Sequence, residues 1–273
     1  MSKSEIRPKR VPTRARLADF AVFIRPAMQW LPVWLMAFLA LQPSVVAGPP
    51  FVTDDPASLP LHTGEFYLFA AGAHSAFDNS LDAGPGIELN YSAFPNTFFH
   101  LVVPLAYSHP FGEPSATGLG DVETGFKWHF VEQSHSRPDV GIFPFLELPT
   151  GSRDRGLGNG RPQVFLPVWL GKDSGRWTVY GGGGYWINPG KGNRNWWFSG
   201  VVIQRQITDR LYLGTDFFHQ TADTQDGAAG TGFDVGGGWT LTGPYQVLFS
   251  AGRNLQNPSD SLFFGYVALY RTF

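Results

Sequence analysis

The chain has 273 residues, with no cysteine, 43% apolar residues, 15% aromatic residues and only 15% charged residues, against roughly 25% charged in an ordinary soluble domain. A formal charge of −2 offers no basic field for nucleic acid, the ring content excludes a disordered chain, and the lack of cysteine excludes a disulfide scaffold or a thiolate-bound metal. Its 33 glycines and 22 prolines count against long helices, since the two residues cost about 1 and 3 kcal/mol in a helix interior.

Residues 1–29 carry Lys3, Arg7, Lys9, Arg10, Arg14, Arg16 and Arg25, and Trp30 to Leu41 is a purely apolar run before the small Ala47. Basic residues, a short greasy run and a small residue make a secretory signal peptide over 1–47; the run is too short to span a bilayer, which needs about 20 residues. An uncleaved anchor is the competing reading. Removal of 1–47 takes seven of the 20 basic residues but two of the 22 acidic ones, leaving a net charge of −7.

Residues 48–63 hold Pro49, Pro50, Pro56 and Pro60 around Asp54-Asp55 and precede any regular pattern. They form either a periplasmic tether or a hatch folded into the mouth of the domain that begins at residue 64. Two adjacent carboxylates without further spaced oxygens do not make a calcium site.

From residue 64 onward the pattern has a period of two. In Asp121 to Phe130, Asp121, Glu123, Lys127 and His129 interleave with Val122, Phe126, Trp128 and Phe130. A strand sorts these onto a charged and a greasy face, whereas a helix scatters both. Twelve strands are predicted, over 64–73, 83–92, 97–107, 120–130, 139–148, 163–171, 177–188, 196–206, 211–220, 231–241, 245–253 and 262–273. Short turns such as Phe94-Pro95-Asn96 alternate with longer loops such as Thr150 to Arg161. Strands near 9 to 11 residues, an even count and alternating gap lengths describe an all-β, antiparallel transmembrane barrel in the outer membrane. A soluble sandwich also alternates, but its outer surface is well charged, and here charge is scarce and falls on the inner face. Rings and aliphatics are expected to face lipid, with glycines and acids inward.

Several motifs are more specific than the alternation. Gly48-Pro49-Pro50-Phe51-Val52-Thr53-Asp54-Asp55-Pro56 follows the leader, and later come GLGDVETGFKW from Gly118, GIFPFLELPTG from Gly141, RGLGNGRPQVFLPVWL from Arg155 and GGGGYWINPGKGNRNWWFSG from Gly181. Together these resemble the family of outer-membrane transporters labelled for the meta pathway of phenol degradation. The resemblance implies an outer-membrane barrel with a transport role; no residue here encodes phenol. Phe273 as a terminal aromatic resembles the assembly signal of such barrels, although Arg271 stands where that signal usually has a second apolar residue.

The predicted lumen-facing ionisable residues are Glu88, Asp121, Glu123, Lys127, His129, Glu147, Asp216 and Asp234. This acidic wall favours cations or neutral polar solutes in a pore; alternatively the groups pair across the lumen and fill it. Lys191 and Arg194, between aromatic strand ends, are candidates for contact with sugar or phosphate from an outer loop, or are ordinary solvated residues. Arg155 to Arg161 has GxGxG spacing, but with no helix after it the stretch is a loop and not a phosphate cradle. Strand histidines His100, His129 and His219 and the strand serine Ser199 raise the question of a lipid hydrolase, yet no GxSxG elbow or HExxH helix occurs. The reading is therefore a passive outer-membrane channel for small molecules, apolar or aromatic compounds among them, and not an enzyme. A closed structural or surface-interaction barrel is the alternative. Its partners are outer-membrane lipid, the solute and the barrel-assembly machinery, with no nucleic acid, cofactor or metal.

Overall fold

In the computed structural model, residues 49–75, 79–256 and 262–273 are described; the predicted leader lies outside the described residues. The strands are β1 (Gly64–Ser75), β2 (Ser80–Phe94), β3 (Thr97–His109), β4 (Ala116–Leu119), β5 (Val122–Val131), β6 (Asp139–Ile142), β7 (Phe145–Leu148), β8 (Gln163–Ser174), β9 (Trp177–Ile187), β10 (Trp196–Thr208), β11 (Leu211–Gln220), β12 (Gly230–Thr240), β13 (Tyr245–Asn254) and β14 (Leu262–Thr272). All pairings are antiparallel, and β1 pairs with β14, so the sheet closes on itself. β4 and β5 both pair with β3, while β6 and β7 both lie between β5 and β8. Each duo acts as one interrupted wall strand. The fourteen segments thus make the predicted twelve-strand wall.

The interruptions have local causes. Pro144 has no N–H for the ladder, and its carbonyl instead accepts from the Phe126 N–H at 3.2 Å. Between β4 and β5 the Thr150 hydroxyl donates to the Gly120 carbonyl at 2.7 Å and accepts from the Val122 N–H at 2.9 Å, replacing a strand partner. At the seam, Gly64 and Phe273 exchange two backbone bonds of 2.8 and 2.9 Å.

Along β8, Gln163, Phe165, Pro167 and Trp169 are buried while Leu166, Val168 and Leu170 are exposed. The outward set around the wall includes Leu68, Leu89, Trp128, Val201, Phe217 and Val267. That band suits lipid chains; in water it would be an exceptional apolar surface.

One expectation about the interior is corrected. Rings occupy both faces of the wall: Phe69, Phe98, Phe145, Phe165, Trp169, Trp186 and Phe198 form one buried inward cluster. The glycines make room for them. Phe69 lies directly opposite Gly86, Phe218 opposite Gly232 and Tyr212 opposite Gly238. A Cβ on any of these glycines would fall 2.2 to 2.5 Å from the ring. Rings lie flat over glycine in the narrow interior, which accounts for a chain rich in both.

Candidate functional site

The site is the lumen and the segment that crosses it. Residues 50–56 run inside the wall, and residues 57–63 lead from there along the rim beside the end of β2, where His62 and Ser92 share a backbone bond. The Thr53 N–H and hydroxyl donate to the two oxygens of Asp216 on β11 at 2.8 and 2.7 Å. Lys127 on β5, nearly opposite, donates to Asp54 Oδ1 at 2.7 Å. Ser250 on β13 donates to the Pro50 carbonyl at 2.6 Å, and Ser92, in the irregular end of β2, donates to the Leu59 carbonyl at 3.3 Å. Inward glycines accept the segment's bulk: a Cβ on Gly200 would sit 1.8 Å from Thr53 Oγ1, and one on Gly214 would sit 2.9 Å from the Phe51 ring. Thr53 and Asp54 are fully buried. Burial pushes the Asp54 carboxyl up, against the attraction of Lys127. Asp55 caps its own turn by accepting from the Ala57 N–H at 2.7 Å and lies 3.7 Å from Lys127.

The predicted wall residues fall into separate groups. Glu88, Asn90, His100 and Glu123 make one chain: Asn90 donates to Glu88 at 2.9 Å, and His100 lies 2.7 Å from Asn90 Oδ1 and 3.0 Å from Glu123. His129 pairs with Asp139 at 2.8 Å toward the end with the short turns. Asp121 stands in the break between β4 and β5. It accepts from the Gly151 and Asn159 N–H groups at 2.8 and 2.6 Å, so it fastens the loop 149–162. Glu147 accepts from the Asn159 side chain in the same knot. Asp234 sits directly opposite Asp216, fully buried. Lys191 and Arg194 are exposed on the loop 188–195, where the Arg194 N–H donates to the Asp223 carbonyl at 2.6 Å.

Two cavities flank the filled middle. One, of about 310 Å³, lies at the short-turn end and is bounded by Asp54, Glu65, Glu88, Lys127, Phe143 and Tyr270 among others. The second, of about 410 Å³, opens among the long loops, bounded by Arg153, Asn159, Gln163, Asn188, Trp196 and Asp223 among others. They share no lining residue. A ladder of rings connects them. Trp196 stacks on Trp186 at 5.1 Å, Trp186 on Phe165 at 4.8 Å, and Phe145 meets Trp186 and then Phe143 at 5.3 and 5.6 Å. Phe143 touches Phe98 and carries the Lys127 ammonium 5.0 Å from its centroid.

The family described as "Putative MetA-pathway of phenol degradation" matches residues 53–272, nearly the whole described chain. The chain belongs to this family. Among solved structures, this family barrel is similar to an outer membrane channel from Pseudomonas putida F1, with 17% identity, coverage of 80% of this chain and 98% of that one, and a TM-score of 0.65. It is also similar to the NanC porin, with 7% identity, coverage of 75% and 98%, and a TM-score of 0.50. Among curated proteins none matches the sequence. At such identities the likeness is one of fold: this family member is an outer-membrane β-barrel.

Sequence reasoning missed much of the ladder and the outer rim. Gln163 donates to Asn188 at 2.6 Å, and Asn188 donates to the Asp223 carbonyl at 3.1 Å, tying β8 to two outer loops. Burial pushes the Asp223 carboxyl up to about 6, opposed by backbone N–H donors. The ladder had a signal in Phe143, Phe145, Phe165, Trp186 and Trp196, every second residue of neighbouring strands, which is the inward set once Glu147 and Gln163 are placed inside.

Proposed function

We propose that the barrel is a passive outer-membrane channel for small molecules, with residues 49–63 as an internal hatch and the ring ladder as the surface along which a solute passes between the two cavities. The ladder is the observation that carries this reading. Its rings continue from the outer cavity to the inner one, and flat, polarisable faces suit apolar or aromatic solutes. The family's description and the two similar structures, a channel and a porin, agree with it. The segment is held by polar contacts to wall side chains and by apolar packing, with Phe51 buried against Tyr180 and Val202 and with Val52 and Leu59 against the ring cluster; none of these is a ladder bond between wall strands, so its release leaves the wall intact. We read Asp54 as a latch to Lys127, Asp216 and Asp234 as the seat on the opposite wall, and Asp121 and Glu147 as anchors of the inward loop.

An enzymatic role has little support. Ser199 stands opposite His219 in the strand register, but the hydrogen bond that His219 makes is with Thr231, at 2.8 Å. His100 and His129 are engaged with carboxylates inside the wall. A hydrolase needs its base within reach of its nucleophile.

Planar-bilayer recording tests the channel. Wild-type protein is expected to give small discrete steps, and Gly200→Leu, which places a side chain where Thr53 sits, is expected to give larger ones. A folded barrel that conducts in neither form overturns the proposal.

A further inference from the structure

The inner cavity has a charge pattern that the passage of a neutral solute does not require. Four carboxyl groups, Asp54, Asp55, Glu65 and Glu88, line it against one ammonium, Lys127, and that ammonium is already committed to Asp54 at 2.7 Å. Glu65 is satisfied: Tyr270 and Tyr67 donate to it at 2.7 and 3.0 Å. Glu88 is not. Its Oε1 accepts from Asn90, while its Oε2, on a residue 3% exposed, has no partner. Asp54 Oδ2 is likewise buried and without one. A buried carboxylate oxygen left without a donor costs free energy until a ligand supplies it. The neighbouring Tyr67 and Tyr270 rings, 4.8 Å apart, add negative π-faces, which attract a cation and repel an anion.

We propose that the inner cavity binds a small organic cation, an ammonium group on an apolar or aromatic body, with the Glu88 carboxyl, its buried Oε2 turned toward the cavity, as the principal acceptor for the ammonium. The volume of about 310 Å³ admits a body of one ring, near the lower end of ordinary ligand sites. The body lies against Phe143 and the tyrosines, and the three N–H donors of the ammonium face the carboxylates. Metal ions are a poorer fit, since no group of three or more histidines and carboxylates with metal-binding geometry occurs among the described residues. The inference rests on the channel reading in that it names a class of solute for the same lumen, yet the site requires only that the cavity be reached from one end.

The test is equilibrium binding to the purified barrel in detergent, followed by calorimetry, with phenethylammonium, its neutral counterpart 2-phenylethanol and the anion phenylacetate. The cation is expected to bind at least about tenfold more tightly than the alcohol, and the anion not to bind, as charge-assisted bonds are about twice as strong as neutral ones. Glu88→Gln is expected to remove the cation's advantage and leave the alcohol unchanged; the folded barrel's gel shift on heating checks that this variant is folded. If it is not, the three-ligand series on the wild-type chain decides alone. Equal binding of cation and alcohol, or a folded Glu88→Gln that still prefers the cation, overturns the proposal. Binding without conductance in bilayers would remove the channel reading and leave the site standing, and conductance without selective binding would do the reverse.

Discussion

The walls formed by β2–β5 and by β7–β10 present the same kind of surface to lipid and opposite kinds to the lumen. Outside, Leu89, Leu101, Phe126 and Trp128 on the first match Leu166, Val168, Leu170 and Val201 on the second. Inside, the first carries mainly Glu88, Asn90, His100, Glu123 and Lys127, with Phe98 among them, whereas the second carries mainly Phe145, Phe165, Trp169, Trp186, Trp196 and Phe198, with Gln163 at its outer end. Lipid dictates one face of every strand. The other face is free to specialise, and here it has divided into a polar half that holds Asp54 and Leu59 of the internal segment, opposite the Asp216 and Ser250 contacts on β11 and β13, and an aromatic half that joins the two cavities.

The division can be broken from either side. On the polar half, Lys127→Met leaves Asp54 buried without its cation, and the barrel is expected to lose about 3–5 kcal/mol in urea unfolding, the usual result of removing one member of a buried pair. Adding Asp54→Asn to that variant should restore most of the loss. On the aromatic half, Trp186→Ala removes the ring shared by Trp196, Phe165 and Phe145. A drop of about 3 kcal/mol is expected in the same assay, with solute flux lowered as the ladder is cut. On the rim above that half, Asp223 has its carboxyl held up at about 6 against an ordinary 3.8. The neutral form is favoured by folding, so this stabilisation is full below about 3.8 and is lost as the pH rises through about 6. Asp223→Asn should therefore be more stable than wild type by about 3 kcal/mol at pH 8 and indistinguishable from it near pH 3.5. The smallest effect is expected on the lipid face, whose chemistry is alike all round: Arg271→Gln removes a guanidinium 5.5 Å from the Tyr245 ring and is expected to cost about 0.5–1 kcal/mol.

The same division governs how much the sequence revealed. Over Asp121 to Phe130 the two faces differ in chemistry, so alternation reads directly as a strand with Glu123 and Lys127 inward. Over Val164 to Leu170 both faces are apolar, and the run shows a strand without showing which side its rings take. Strand count and most boundaries followed from turns and period. Asp121 was legible as a strand residue yet leaves the ladder, because its bonds to Gly151 and Asn159 depend on a loop that alternation does not describe. The contacts of residues 49–63 span 163 positions to Asp216 and 200 to Ser250. No local pattern encodes such pairings; prolines and paired acids mark the segment as special without saying where it goes.

The central claim is that the internal segment closes a path along the ring ladder. The chain has no cysteine, so Thr53→Cys with Gly200→Cys introduces a single pair. A Cβ at 200 lies 3.0 Å from the Thr53 Cβ, about half an ångström inside the shortest span that a disulfide bridges, so the bond forms with a small outward shift of the segment. Single-channel recording of this variant is expected to show closed barrels when oxidised and steps at least as large as those of the wild type after reduction. Equal conductance in both states would mean that solutes pass with the segment in place, and would contradict the account.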